Sequence, residues 1–181
     1  MAKEKLPVPD IYTLLVGKGE SSNFENAKDA AKLKAGVNFN LLQASSILPP
    51  GAKYLTPKKF LEFVPKGAIV PAAFGIALSK KKNEKIAAAV GVGIPKNSKH
   101  FGMIMEYHGY GKKQANIKEA KKITAQMIRE SFSFKQRKKI NLQLKKIKVL
   151  AINHVVKNCG CVIAMCPMWF KKSNDFKSEI Y

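Results

Sequence analysis

Asn40-Leu-Leu-Gln-Ala-Ser-Ser46-Ile-Leu-Pro-Pro-Gly51 begins as a strand and ends as a turn. Asn38 to Ser46 (NFNLLQASS) has the composition of a strand. Pro49-Pro50-Gly51 then forces the chain out of regular structure, because proline has no backbone N–H to give a ladder and holds the residue before it extended. A strand therefore delivers two consecutive serines, Ser45 and Ser46, to a rigid bend. Alternation along that strand puts Asn40, Leu42, Ala44 and Ser46 on one face. On composition alone the serines are turn-formers at a strand end.

Towards the N-terminus, Ile11 to Val16 (IYTLLV) predicts a strand. Ser22-Asn-Phe-Glu25 has capping-box spacing, so a helix should follow to about Lys34, with Gly36 as its stop. Towards the C-terminus, Ala68 to Leu78, Ile86 to Ile94 and Phe101 to Tyr107 are apolar segments of strand length. The period changes between Lys113 and Phe132, where Ile117, Ala120, Thr124, Met127, Ile128 and Ser131 fall on one helical face with lysines opposite. Leu144 to Ile152 alternates again, and Cys161 to Phe170 is a last apolar strand. Residues 1–10 and 171–181 are expected as tails, leaving residues 11–170 as a single domain. Six or seven strands with two principal helices predict an α+β sandwich, its sheets packed on each other and its helices on outer faces.

Charge is the loudest feature of the composition: 33 basic against 12 acidic residues give a net +21. Nucleic acid or an anionic surface would suit such a charge. The basic residues are almost all scattered lysines, however, with Arg129 and Arg137 the only arginines. Base and phosphate recognition favours the arginine fork, so the expectation is a lysine-coated surface without specific nucleic-acid binding. The longest apolar run, Cys159 to Phe170, is too short to span a bilayer, and the first ten residues lack the apolar core of a signal peptide. A cytoplasmic protein without membrane contact is expected. Cys159, Cys161 and Cys166 crowd into one segment with no second cluster, which argues for buried free thiols. His100, His108 and His154 have no metal-binding spacing, so no metal is expected. A phosphate-cradling GxxxxGK[ST] loop and a nucleophile elbow are both missing.

Three blocks of the sequence acquire meaning together. Ser45-Ser46-Ile-Leu-Pro-Pro-Gly51 resembles the processing site of the pyruvoyl-dependent arginine decarboxylase family. Ala89-Val-Gly-Val-Gly-Ile-Pro95, followed by His100-Phe-Gly-Met-Ile-Met-Glu-Tyr107 and Tyr110-Gly111, is similar to a second block of that family. Asn153-His154-Val155 through Met168-Trp169-Phe170 is similar to its closing strands. The resemblance spans roughly residues 11–170, in order, and it implies a four-layer αββα sandwich that cuts itself between Ser45 and Ser46 into two chains.

What the resemblance implies chemically is specific. The Ser46 hydroxyl would attack the Ser45 carbonyl, and elimination followed by loss of ammonia would leave a covalent pyruvoyl group at residue 46. That group would form a Schiff base with L-arginine and accept electrons as carbon dioxide leaves, giving agmatine. Glu106 would return the proton, a role that implies partial burial and a raised pKa, and a charge inside the apolar run Gly-Met-Ile-Met-Glu-Tyr is costly without such a reason. Asn40 would orient the scissile region or the substrate, Asp29 would receive the guanidinium, and Ile47 would contact the substrate. The assembly implied is a homotrimer of cleaved protomers with sites between subunits. Two other readings remain open at this point: a pyruvoyl decarboxylase acting on another amino acid, such as histidine, and a non-catalytic basic protein that binds polyanions.

Overall fold

Alanine and glycine let the backbone layers of this protein approach closely, and that spacing sets the architecture. The structure is a computed structural model describing residues 8–44, 46–137 and 142–171. Ser45 and most of the two expected tails (residues 1–7 and 172–181) lie outside the described residues.

Two sheets form. In the first, β3 (Asn40–Gln43) runs parallel to β6 (Ile69–Ser79), which pairs antiparallel with β10 (Cys159–Trp169). The far edge of β10 is shared by β1 (Ile11–Tyr12) and β2 (Leu15–Ser21), and β1 also pairs with β5 (Lys53–Tyr54). In the second sheet the order is β4 (Ile47–Leu48), β8 (Gly102–Tyr110), β7 (Lys85–Pro95), β9 (Leu144–Val155), all neighbours antiparallel. Among the described residues four helices accompany them: α1 (Phe24–Lys34), α2 (Pro57–Phe63), α3 (Gly111–Gln114) and α4 (Ile117–Arg137).

The side chains sort by strand parity. Ala73 and Ala77 of β6 and Val162, Ala164 and Cys166 of β10 pack against Ala88, Val90 and Val92 of β7 and Ile104 of β8. The opposite parity of the first sheet, including Cys159, Cys161, Ile163 and Met165, packs with Ala27 and Ala31 of α1 and Phe60 of α2. Ile128 and Phe132 of α4 pack with Met103 of β8, and the partly buried Met105 joins them. All three cysteines are buried free thiols, and burial pushes the Cys161 thiol up to about 12.

Several expected elements take a different form. The strand expected over Ile11 to Val16 divides at Thr13 and Leu14, where the facing Pro167 has no N–H to give the ladder. The Thr13 N–H still donates to the Pro167 carbonyl at 3.2 Å, and its hydroxyl donates to the Leu55 carbonyl at 2.8 Å. α1 is capped by Asn23, whose side chain accepts from the Asn26 N–H; Ser22 lies one residue too early. The strand expected over Asn38 to Ser46 is only four residues long, because the chain leaves one sheet for the other after Gln43. The helix expected from Lys113 begins as the short α3, then restarts at Ile117 as α4. α2 had no periodic signal, being only seven residues long. No helix of the described residues is long and apolar enough to cross a membrane.

α1 lies on β2 through two glycines. A β-carbon at Gly19 would sit 2.5 Å from the Ala27 carbonyl oxygen, and one at Gly17 would collide with the Ala31 carbonyl. Both obstacles are backbone and cannot rotate away. Gly17→Ala is therefore expected to destabilise the protein by about 3 kcal/mol, the upper part of the usual overpacking range. A thermal melt should show the midpoint falling by roughly 6–12 °C for a chain of this size; an unchanged midpoint would refute this account of the seat of α1.

Candidate active site

Residues 44–46 carry the chain from the first sheet to the second. The Ala44 N–H donates to the Ala72 carbonyl at 2.9 Å, the last bond that β3 makes to β6. Two residues later the Ser46 carbonyl accepts from the Ile104 N–H at 2.8 Å, continuing the β4–β8 ladder by one residue. Ala44 and Ser46 are thus fixed to different sheets. Ser46 is half-buried, and Ile47, next along β4, is exposed.

Ser46 is opposite Ile104 in this ladder, and Leu48 is opposite Gly102. Ile104 and Leu48 both belong to the core between the sheets, so Ser46 shares their face. Glu106, two residues beyond Ile104 on β8, has the same parity. Neighbours offset diagonally by two residues on one sheet face are about 7–8 Å apart, within reach of a glutamate side chain. Glu106 is half-buried, and burial pushes its carboxyl above the ordinary value. A hydroxyl held by its own backbone and a carboxyl biased to the protonated form therefore occupy the same face.

Asp29 and Asn40 form a second pair. Both line an open cavity of about 360 Å³ with Lys32, Leu33, Val37, Asn38, Phe39 and Gly67. The Asn40 amide Nδ2 donates to the Gly67 carbonyl at 2.8 Å, and its backbone N–H donates to the Ala68 carbonyl at 2.8 Å. Asp29 projects from the exposed side of α1 and pairs with Lys32 at 2.9 Å. Gly67 and Lys32 carried no signal in the sequence, because the loop that brings Gly67 back to β3 depends on α2. Alternation does not carry the face of Asn40 through to Ser46, since the strand stops at Gln43 and the chain changes sheets. Six residues of chain span at most about 20 Å, and that is the contour separating the two pairs.

His154 finds a structural partner. Its Nε2 lies 2.6 Å from Glu20 Oε1, and the same carboxylate accepts from the Lys157 and Asn158 backbone N–H groups at 2.9 and 3.0 Å. Burial alone would raise the Glu20 carboxyl, but these hydrogen bonds outweigh it and hold the group below the ordinary value.

The residues present fit a prosthetic group carried by the main chain at position 46. The precursor hydroxyl is on the chain itself, its flanks are held by backbone hydrogen bonds, and a carboxyl whose proton affinity is raised by burial stands on the same face.

Comparison with known proteins agrees with this reading. Residues 11–173 match the pyruvoyl-dependent arginine decarboxylase family. A pyruvoyl-dependent arginine decarboxylase of Methanococcus maripaludis strain C5 is 36% identical over 164 residues, covering 90% of this chain and 92% of its own. That of Methanocaldococcus jannaschii is 36% identical over 165 residues, covering 91% and 92%. The Pyrococcus abyssi protein of the same name is 33% identical over 153 residues, covering 83% and 88%. With the match running from β1 past the end of β10, this chain belongs to the pyruvoyl-dependent arginine decarboxylase family.

Proposed function

We propose that this protein is a self-processing lyase that converts L-arginine to agmatine and carbon dioxide with a pyruvoyl group made from Ser46. The observation that carries the reading is the placement of Ser46 and Glu106 on one face where the chain passes between sheets. When formed, the group supplies the electrophilic carbonyl and electron sink that amino-acid decarboxylation requires. The chain's own residues supply the rest.

Glu106, half-buried on β8, delivers a proton to the substrate α-carbon once carbon dioxide has left, and burial raises the affinity of its carboxyl for that proton. Asp29 receives the guanidinium, since a carboxylate matches that planar cation with two parallel hydrogen bonds. The Asn40 Nδ2 is committed to Gly67, so the acceptor Oδ1 is the end of the amide that orients the substrate. Ile47, exposed beside Ser46, gives the substrate's methylene chain an apolar contact.

The finer architecture is inferred on the same basis. Helices α1 and α2 against one sheet and α4 against the other support a four-layer αββα sandwich over residues 11–170, cut into residues 1–45 and 46–181. A homotrimer would bring Asp29 and Asn40 of one protomer towards Ser46 and Glu106 of the next. Leu33, Leu42 and Ile69, which are 70%, 56% and 66% exposed on α1, β3 and β6, support such a covered edge. Three unbridged cysteines suit a reducing compartment, and the cytoplasm is the expected location.

An agmatine assay with purified protein tests the reading. Release from L-arginine, with none of the corresponding amine from L-histidine, is the expected result. Asp29→Asn should raise KM for arginine by about 10–100-fold, the worth of a charged hydrogen-bonded contact, while changing kcat much less. Unchanged KM would remove Asp29 from the site.

A further inference from the structure

Glu106 lies over an unusual part of the facing sheet. Ala73, Gly75 and Ala77 are the inward residues of β6 there, and Cys166 of β10 lies beside them, since Ala73 pairs with Cys166 and Gly75 with Ala164. A β-carbon at Gly75 would stand 3.0 Å from the Tyr107 carbonyl oxygen, 3.4 Å from the Tyr107 nitrogen and 3.5 Å from the Glu106 Cβ. The tightest of these contacts is with β8 backbone, so it could be relieved only by lifting the strand that carries Glu106. Cys166 is fully buried on the same face, and its thiol feels the Glu106 charge.

We propose that Gly75 and Cys166 are positioning residues for Glu106, forming a dry floor that lets β8 settle close enough to keep the carboxyl out of water. The proposal rests on the reading of Glu106 as proton donor. The surroundings of that carboxyl are simple. Cys166 is the titratable group that faces it from β10; β7 places Val90 opposite it, and β6 places Gly75 beneath it. Ser46 faces it from the β4 side, and His108 follows it on its own strand. Burial, rather than a neighbouring charge, is what pushes the group up. The floor is therefore the part of the structure that sets its protonation.

Glu106 acts in its protonated form, so activity is present below its pKa and lost as pH rises through it. Gly75→Ala should lift β8 by a few tenths of an ångström and admit water. Cys166→Ser is close in volume and puts a stronger hydrogen-bond donor beside the carboxylate. Both should move the alkaline limb of the kcat/KM profile to lower pH, by roughly one unit if proton affinity falls tenfold. A simple loss of folded protein would lower the profile without moving the limb. Denaturing mass spectrometry should show both variants still cut. If Gly75→Ala does not fold, Cys166→Ser decides alone. Folded, cut variants with the wild-type pH profile would overturn the proposal. Should Glu106→Gln itself retain full activity, the fault would lie in the role given to Glu106.

Discussion

Ser46→Ala is expected to yield one uncut polypeptide that releases no agmatine from arginine. The reasoning starts from the sheet crossing. Ala44 is hydrogen-bonded into one sheet and Ser46 into the other, so both flanks of the expected cut are anchored. Holding the Ser46 hydroxyl near the preceding carbonyl replaces an external protease, because proximity of this kind is worth several powers of ten. Attack converts the amide to an ester, elimination across Cα–Cβ of residue 46 releases the chain ending at Ser45, and water then displaces ammonia. Alanine has no oxygen with which to begin. Loss of activity should be at least about 10⁶-fold, the lower end of enzymatic rate enhancements. Denaturing intact-mass spectrometry reads the outcome directly: two species for the natural chain, the larger beginning with a blocked residue 46, and one for the variant. A cut Ser46→Ala chain, or a natural chain that stays whole after prolonged incubation, would end the self-processing account.

Glu106→Gln should separate processing from turnover. Glutamine keeps the volume and much of the hydrogen bonding of glutamic acid but has no carboxylic proton to give. The variant should still cut itself, while kcat falls by about 10²–10⁴, the usual contribution of a general acid. Stability should respond with the opposite sign. Burial raises the folded-state pKa of Glu106, so its contribution to stability is fully present below the unfolded value and is lost as pH rises through the folded value. At neutral pH the natural protein carries that penalty and the amide does not. Glu106→Gln should therefore melt no lower than the natural protein at pH 7, and the gap between them should close towards pH 4. An unaltered kcat would remove the proton-donor role, and a marked loss of stability at neutral pH would make Glu106 a structural residue instead.

Those expectations rest on features that were unequally legible in the sequence. α1, β6, β7 and β10 could be read because long apolar segments and a helical period report burial locally, and the helix stop at Gly36 carries its own backbone signature, a positive φ of 83°. Glu106 stood out as a charge within an apolar strand, whereas Ser46 read as a turn-former on composition and took its role from the family resemblance. The crossing from Ala44 to Ser46 did not stand out, because nothing local says that residues two apart will bond to different sheets. The same limit hid the link from Asn40 to Gly67, which is 27 residues away and reached through α2. Gly75 was invisible for a related reason: its role is set by the strand above it in the other layer.

The sheet crossing also changes how this protein would come apart. The proposed cut between Ser45 and Ser46 would leave a small chain whose β2 is laced along β10 from Ser21↔Cys159 to Leu15↔Met165 and whose β3 edges β6. Before the cut, unfolding is a one-molecule event and refolding can retrace it. After such a cut the denatured state would be two separate molecules. Its free energy gains a concentration term, so dilute protein should melt lower than concentrated protein. A dispersed pair must meet again before either sheet can be rebuilt. The mature molecule would be held together by the slowness of strand separation as much as by its equilibrium stability.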